Sequence, residues 1–386
     1  MKTSLTPLWI AALLLCFNAS AYGPVPPGIP SNDPYVVAGY LKATLYSGVD
    51  PTGLTDSTAG LQQALNDGYN YGLAVMLPAG TYLVSNTLLR EQVYQLTGCG
   101  EQLTFTPEAI NKSPMLVGEP GATRPLIKLA NSASGFNNPS SPKPVIHFKN
   151  NGVAGWEGDA DCGFGFVVRG LDINLGTGNS GAVGISMASA QYSTLEDVKI
   201  TATGAYAGVR GTPSTNVVVN VEVDGGQYGI MPYTCCGISL IGIKLRNQTV
   251  AGLRLDDDYS AVMMTGFEIE QSTAVPIMND TFRSHTAEML LMDGVIKITG
   301  AGTQPAISNL NGHTMWMSNV YVITPGLIAE NHNGATVAGG GTKRIEEYSY
   351  TNNQVWTPSG SGITHRAYTL INGVTAQNQI SVINTA

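Results

Sequence analysis

Apolar and polar residues alternate in a short pattern that recurs along the second half of the chain. Each copy has an apolar residue, a variable one, a Gly, Asn or Asp, and then two apolar residues around one other residue, as in VRGLDI and LEDVKI. The apolar residue directly after the turn position recurs every 22 to 28 residues. In chain order these residues are Leu171, Val198, Val221, Ile243, Phe267, Val295 and Val320. Such spacing predicts a repeating coil in which equivalent residues stack.

The turn position holds one of three residue types in all seven copies. Its occupants are Gly170, Asp197, Asn220, Gly242, Gly266, Gly294 and Asn319. Gly, Asn and Asp tolerate left-handed backbone angles better than other residues do. Short alternating strands joined by such a corner predict an all-β chain, folded as a single-stranded right-handed parallel β-helix with coils about 4.8 Å apart.

A second row of short strands follows each corner after a loop of variable length. The predicted inward-facing residues of this row are Ile185, Val209, Ile230, Leu253, Ile277, Ile307 and Ile328. A β-sandwich or propeller would need antiparallel hairpins with Asn-Gly or Asp-Gly turns, and these signals are sparse. The two rows therefore favour the β-helix.

The segment SGVDPTGLTDSTAGLQQALNDG, which precedes the coils, predicts a cap. An open solenoid end exposes unpaired backbone and apolar side chains, so it needs a cover. A short amphipathic helix is expected near residues 57–66, with Thr55 or Asp56 as N-cap and Gly68 at its end. The β-helix with this cap is expected over 47–342, after an extension at 22–46 and before a C-terminal closing segment at 343–386.

The first 21 residues have the features of a secretory signal peptide. A lysine precedes an apolar run, and Ala19-Ser20-Ala21 forms a cleavage site. We therefore expect a secreted protein, extracellular or periplasmic. Cys99, Cys162, Cys235 and Cys236 remain after cleavage, and their spacing leaves the disulfide connectivity open.

Composition narrows the class of partner. Only 12% of the residues are charged, the net charge is −8, and the chain contains 46 glycines. Many glycines and few charges suit a turn-rich β-solenoid. An acidic chain is a poor partner for nucleic acid or anionic membranes, so neither is expected.

The capping segment together with VMLPAGTYLVS resembles the N-terminal signature of the pectate-lyase-like β-helix superfamily. Within that superfamily it is most similar to the rhamnogalacturonase/epimerase-like group and to the first β-helix of glycoside hydrolase family 55, the β-1,3-glucanases. The resemblance runs from about Val36 to about Asn353 and implies a β-helix that acts on polysaccharides. Family 55 enzymes carry a second β-helix with the acid glutamate, and this chain has room for only one, so no catalytic residue is transferred from them.

Side chains that point outward from the second strand row predict the site. One outward lane holds Ser186, Arg210, Met231, Arg254, Met278, Ser308 and Ala329. The next lane, two residues further on, holds Ala188, Thr212, Tyr233, Asp256, Asp280, Leu310, and Glu330 or Asn331. Asp256 and Asp280 thus fall at matching positions of adjacent coils, with Arg254 on the same face.

This carboxylate pair has three interpretations, two of them chemical and one structural. Two carboxylates about 5 Å apart suit a retaining glycosidase, which predicts Asp256, Asp280 and Arg254 as catalytic residues without a cofactor. The same pair could instead bind Ca²⁺ in a polysaccharide lyase, with Arg254 as the base. An exposed Arg–Asp ion pair without function is the third interpretation. The predicted substrate-binding residues near the pair are Arg210, Tyr233, Asp257 and Asp258.

A second candidate region is the segment GWEGDADCGFGF. Trp156, Glu157 and Asp159 would form a sugar platform with acidic groups, since an aromatic ring can stack on a sugar. The segment could equally be a surface loop held by a disulfide through Cys162.

These features predict an exported polysaccharide-degrading enzyme, with a glycoside hydrolase that cleaves β-glucan-type bonds as the leading function. The alternatives are a Ca²⁺-dependent lyase acting on uronate polymers and a non-catalytic glycan-binding surface protein. The expected partner is a polysaccharide, and a homo-oligomer or a partner chain could complete the cleft.

Overall fold

A computed structural model describes most of the chain. The described residues are 23–92, 112–121, 123–150, 163–213, 216–232, 237–255, 261–279, 288–311, 314–334 and 336–350, together with the backbone of 355–356, 363–364, 369–370, 374–375 and 380–384.

Two α-helices lie near the start of the chain, with the first two strands between them, and the rest of the chain is a long series of strands. The helices are α1 (Pro34–Val37) and α2 (Thr58–Tyr71), and 3₁₀ turns span Ala43–Leu45 and His332–Gly334. The strands of the first half are β1 (Tyr40–Lys42), β2 (Thr52–Asp56), β3 (Ala74–Leu77), β4 (Thr81–Val84), β5 (Leu88–Gln92), β6 (Met115–Gly118), β7 (Leu126–Leu129), β8 (Lys143–Asn150), β9 (Val167–Asn174), β10 (Ala182–Ser186), β11 (Thr194–Thr201), β12 (Ala207–Arg210), β13 (Val217–Asp224) and β14 (Tyr228–Met231). Those of the second half are β15 (Ile238–Ile241), β16 (Lys244–Arg246), β17 (Ala251–Arg254), β18 (Val262–Thr265), β19 (Glu268–Gln271), β20 (Val275–Asn279), β21 (Glu288–Ile298), β22 (Ile307–Asn309), β23 (Thr314–Thr324), β24 (Ala329–Asn331), β25 (Thr336–Val337), β26 (Gly341–Tyr350), β27 (Val355–Trp356), β28 (Ile363–Thr364), β29 (Thr369–Leu370), β30 (Val374–Thr375) and β31 (Ile380–Asn384).

Each coil of the chain contributes to three parallel faces. Face A contains the segments before the corner: 74–77, 115–118, 167–169, 194–196, 217–219, 238–241, 262–265, 288–292 and 314–318. Face B contains the segments after it: 81–84, 126–129, 171–174, 198–201, 221–224, 244–246, 268–271, 294–298 and 320–324. Face C is a separate sheet formed by β5, β8, β10, β12, β14, β17, β20, β22 and β24, with β25 added antiparallel at its end.

The strand register confirms the predicted parallel β-helix. Leu171 pairs with Val198, which in turn pairs with Val221 on the next coil. All three side chains are buried in one continuous core. The predicted left-handed corners are present at Gly170, Asp197, Asn220, Gly242, Gly266 and Asn319, each with φ between 52° and 68°.

The prediction for one coil is wrong by a single residue. Its left-handed corner is Asp293 (φ 51°), not Gly294. Gly294 pairs with Val320 on the inward side, whereas Val295 pairs with Glu268 and Tyr321 on the outward side. A Cβ on Gly294 would lie 2.2 Å from the ring of Phe267, so the large side chain of one coil fills the space that the glycine leaves on the next.

The capping helix is present and longer than expected. Helix α2 starts after Ser57 and ends at Gly72, which has a left-handed φ of 68°. Ser57 therefore occupies the N-cap position predicted for Thr55 or Asp56, while an oxygen of Asp56 accepts a hydrogen bond from the Thr58 N–H at 2.9 Å. Gly68 lies inside the helix and does not end it. A Cβ on Gly68 would lie 2.8 Å from the carbonyl oxygen of Leu73, so the glycine lets the helix lie against the first coil.

The turn-rich stretch before α2 is organised by the carboxylate of Asp50. The side chain and the backbone N–H of Thr52 donate to one of its oxygens, and those of Thr55 donate to the other, at 2.6 to 2.9 Å. These hydrogen bonds, with those from Thr52 first, hold the pKa of Asp50 well below its usual range. Asp50 thus fixes the chain path that leads into the cap.

A column of glycines runs along face C. Gly184, Gly208, Gly229 and Gly252 occupy equivalent positions on four successive coils. A Cβ on any of them would lie 2.5 to 2.9 Å from the carbonyl oxygen of the next coil's residue. Their missing side chains therefore allow face C to pass close to the inward residues of face B.

Face C is also tied together by a buried asparagine ladder at its C-terminal end. The amide of Asn279 donates to Asn309 at 2.9 Å, and that of Asn309 donates to Asn331 at 3.2 Å. The amide of Asn331 donates to the hydroxyl of Tyr348 at 3.0 Å. Buried amides need such partners, so the ladder fixes the register of three coils.

The C-terminal part of the chain reverses direction. Strand β26 pairs antiparallel with β23, and β31 pairs antiparallel with β26. The parallel stacking therefore ends at β23 on faces A and B and at β24 on face C. Among the described residues, no helix is both long and apolar enough to cross a membrane.

Candidate active site on the outer side of face C

The register of face C aligns most of the predicted outward lane. Arg210 pairs with Met231, Arg254 pairs with Met278, and Met278 pairs with Ser308. The last position differs from the prediction, since Ser308 pairs with Glu330 and not with Ala329. Ala329 instead pairs with the inward Ile307. Ile328 and Ala329 are both fully buried, so the alternation of residues could not identify the inward one.

Arg254 is held in place by an aromatic side chain. Its Nη1 donates a hydrogen bond of 2.8 Å to the hydroxyl of Tyr228, and its guanidinium carbon lies 5.0 Å from the centroid of that ring. The ring of Tyr206 packs edge-on against Tyr228 at 5.4 Å. A cation over an aromatic face is stabilised by the ring quadrupole. The guanidinium therefore has a fixed position on the outer side of the coil.

Sequence reasoning missed Tyr228. The prediction assumed that residues two apart along a strand lie on the same side. In face C this alternation is interrupted, because Gly184 and Ile185 both face the core, whereas Val183 joins an outer cluster with Met231. Tyr228 pairs with Ala207, which in turn pairs with Val183, so Tyr228 lies on the outer side as well. The repeated Gly before each inward anchor was the signal that marked this change.

The lane that contains Arg210 and Arg254 is not open to solvent over its whole length. Ser186 and Met231 are at most 1% exposed, whereas Arg210, Arg254, Met278 and Glu330 are partly exposed. The accessible chemistry in the described part of this lane is therefore dominated by two arginines, spaced two coils apart, and one glutamate.

Most of the predicted site residues lie outside the described residues. These are the catalytic candidates Asp256 and Asp280 and the binding candidates Tyr233, Asp257, Asp258, Trp156, Glu157 and Asp159, and the same holds for Cys99, Cys162, Cys235 and Cys236. The structure does describe the strands that lead to the carboxylates. The N–H of Leu255 donates to the carbonyl of Met278 at 2.9 Å, so pairing continues one residue past Arg254.

The described residues contain no group of three or more His, Cys, Asp or Glu side chains arranged to hold a metal ion. The Ca²⁺ alternative rests on Asp256 and Asp280, which are not among those residues, and so it stays a prediction.

Face B presents a different kind of surface. Its outward charges pair across neighbouring coils, as in Lys199–Glu222 at 3.0 Å and Arg246–Glu268 at 3.0 Å. The hydrogen bond from Arg246 to Glu268 raises the pKa of that guanidinium. These groups bond one another along the solenoid, and exposed pairs of this kind each contribute about 0–1 kcal/mol.

A polar pocket of about 620 Å³ lies between α2 and β5. Its groups bond one another. Gln62 accepts from the N–H of Leu89 and donates to its carbonyl, and Asp56 accepts from Thr58 and Ser85. These bonds attach the cap to the first coil, and the pocket is therefore structural.

Comparison with solved structures finds distant likenesses. The surface adhesin PfbA of Streptococcus pneumoniae is 14% identical, with a TM-score of 0.35 over 81% of this chain and 99% of that one. The catalytic unit of a GH87 α-1,3-glucanase from Streptomyces thermodiastaticus is 14% identical, with a TM-score of 0.38 over 75% and 48%. Pectate lyase Pel9A is 12% identical, with a TM-score of 0.37 over 78% and 80%. Such values carry no argument about activity. Comparison with curated proteins found no match.

A family model gives a clearer result. The model described as rhamnogalacturonase A/epimerase, pectate lyase-like, matches residues 44–279, which is more than half of the chain. The match begins at the residues that precede the cap and extends through seven coils to the end of β20, the strand that pairs with Arg254. The chain therefore belongs to the rhamnogalacturonase A/epimerase family of pectate lyase-like β-helix proteins.

Proposed function

We propose that this protein is an exported polysaccharide-degrading enzyme, a glycoside hydrolase that works on the outer side of face C. The supporting observation is the register of Arg254 with Met278. Asp256 and Asp280 each follow one of these paired residues by two positions. From the inward residue onward the alternation of β17 is regular, since Leu253 and Leu255 are both buried in the core and Arg254 lies between them. Neighbouring parallel strands are about 4.8 Å apart. Membership of a family named for enzymes of polysaccharides agrees with this proposal.

Two carboxylates at such a separation would act as the pair of a retaining mechanism. One would attack the anomeric carbon and the other would protonate the leaving oxygen, then activate water in the second step. Their mutual repulsion would raise the pKa of one of them, which keeps a proton available for the acid. Arg254, fixed by Tyr228, would orient the sugar beside them.

The remaining predicted residues would bind the polymer around this centre. Arg210 lies two coils from Arg254 in the same lane. Tyr233, Asp257 and Asp258 would lie beside the carboxylates, and Trp156, Glu157 and Asp159 would supply the platform. We propose a β-glucan-type substrate for this arrangement.

A second candidate is favoured by the two arginines of the lane. A uronate polymer carries a carboxylate on each acidic sugar, and the guanidinium of Arg210 could neutralise one of them. The protein would then be a lyase that holds Ca²⁺ between Asp256 and Asp280 and uses Arg254, in its deprotonated form, as the base that takes up the proton of the β-elimination.

One screen separates these functions. The mature protein, residues 22–386, is incubated with β-glucans and uronate polymers, with and without a chelator. Reducing ends and the ultraviolet absorbance of unsaturated uronates are followed together. We expect reducing ends from a β-glucan, without absorbance and unaffected by the chelator. Absorbance that the chelator abolishes would show the lyase. Saturable glycan binding without any product would contradict both and show a binding protein.

A further inference from the structure

The outer side of face A is apolar along several coils. One lane holds Val167, Thr194, Val217, Ser239, Met263, Leu290, Trp316 and Ser349. The lane beside it holds Arg169, Glu196, Val219, Ile241, Thr265, Met292, Ser318 and Glu347. Face B, on the same coils, carries paired charges at more of its outward positions, whereas charges on these two lanes of face A are confined to their ends.

Two of the apolar side chains in these lanes are exposed, and the others are half-buried. Val217 and Met263 are 39% and 38% exposed, and they belong to the small set of large apolar side chains with such exposure in the described chain. A contiguous apolar surface on a sheet that faces solvent marks an interaction site.

The two halves of face A differ in shape. At the C-terminal half, a concavity of about 280 Å³ is lined by Leu290, Trp316 and neighbouring residues, with the carboxylate-bearing Glu288 at one side. At the N-terminal half, Val217 projects from the sheet, and Tyr192 is 84% exposed at the edge next to Thr194. One half thus offers projecting side chains and the other a recess.

The charged residues of this second lane lie at its two ends. Arg169 lies at the N-terminal end, with 57% of its side chain exposed, and its Nε is 3.4 Å from the carboxylate of Glu196 on the next coil. Glu347 lies in the same lane at the C-terminal end, on β26, and is exposed. Between them, the middle of the lane is uncharged from Val219 to Ser318.

We propose that face A is the interface of a two-fold symmetric homodimer whose axis runs parallel to the strands. This two-fold rotation places the coils of the two copies in opposite order, so that each lane faces the same lane of the partner. With the axis midway along the eight positions, Arg169 meets the partner's Glu347 and Val217 meets the partner's Leu290 beside the recess. An axis along the solenoid would instead bring Arg169 close to its own copy.

The dimensions of face A agree with a second copy of the chain as its partner. Eight strands about 4.8 Å apart make a face about 34 Å long, and two lanes with their side chains make it roughly 15 Å wide. Two such faces present a flat area of roughly 1,000 Å² in total, which is about the lower limit for a specific interface. A single sugar on Trp316 would leave most of the apolar lanes uncovered.

Sedimentation velocity of the mature protein over a range of concentrations tests the proposal. We expect a dimer for the wild type and a loss of affinity of about 100-fold or more for Val217→Lys, since two buried lysines would face apolar partners. Val295→Lys is the matched control, because Val295 is an outward valine on face B opposite Glu268. It should dimerise like the wild type. Thermal unfolding of both variants shows whether each is folded.

A charge exchange tests the orientation of the partner. Arg169→Glu and Glu347→Arg should each weaken the dimer, and the double variant should restore part of the affinity. A wild type that stays monomeric, a dimer that Val217→Lys does not affect, or a trimer would overturn the proposal. Protection of face A by an oligosaccharide in a monomer would assign the face to sugar instead. None of these outcomes depends on the activity at face C.

Discussion

Asp256→Asn and Asp280→Asn are each expected to lower turnover by roughly 10²- to 10⁴-fold, the range that a positioned acid, base or nucleophile contributes. The loss should appear in kcat on the substrate found in the screen. Asparagine has nearly the same shape as aspartate but can neither attack the sugar nor transfer a proton. Thermal unfolding should stay close to that of the wild type.

The matched control is Glu270→Gln. Glu270 is on face B of the coil whose face C strand leads to Asp280, and it pairs with Lys297 at 3.4 Å. Both side chains are more than one third exposed, so loss of this pair should change stability and activity little. If Asp256→Asn and Asp280→Asn keep the activity of the control, these carboxylates have no part in the reaction.

Gly229→Ala is expected to destabilise the fold by about 3 kcal/mol, at the upper end of the cost of overpacking. The new Cβ would lie 2.5 Å from the carbonyl oxygen of Gly252 and 3.0 Å from a methyl carbon of Leu245. The carbonyl belongs to the backbone of the next coil, so relief requires a shift of one coil against another. The midpoint of thermal unfolding should fall by roughly 5 °C or more.

Gly121→Ala provides the comparison for that variant. A Cβ on Gly121 meets nothing within 4 Å, and its backbone is not left-handed. Its unfolding midpoint should match the wild type to within about 0.5 kcal/mol of stability. Equal midpoints for the two variants would show that coils of face C can separate freely at the glycine column.

Much of the fold could be predicted because its determinants are local. A left-handed corner needs Gly, Asn or Asp, and the apolar residue after it must face inward, so the pattern around Asn220 or Gly242 shows both. The coil at Asp293 was misread because Asp and Gly are adjacent there and both suit a corner. The choice between them depends on Phe267, a residue one coil away in space.

The site could be predicted only in part, for a related reason. The outward direction of Arg210 and Arg254 follows from the residues that flank them. The contact of Arg254 with Tyr228 does not, because it depends on the interrupted alternation at the glycine column. Stacking distances between coils bring Tyr228 and Arg254 together, although 26 residues separate them along the chain.

Hydrogen exchange of the Asp256→Asn protein tests most directly whether face C holds the substrate. The variant is saturated with the longest oligosaccharide released from the substrate of the screen, and exchange is compared with the free protein. We expect slower exchange in β14, β17 and β20, the strands that carry Tyr228, Arg254 and Met278. Protection confined to face A or to the pocket between α2 and β5, with face C unchanged at saturation, would contradict it.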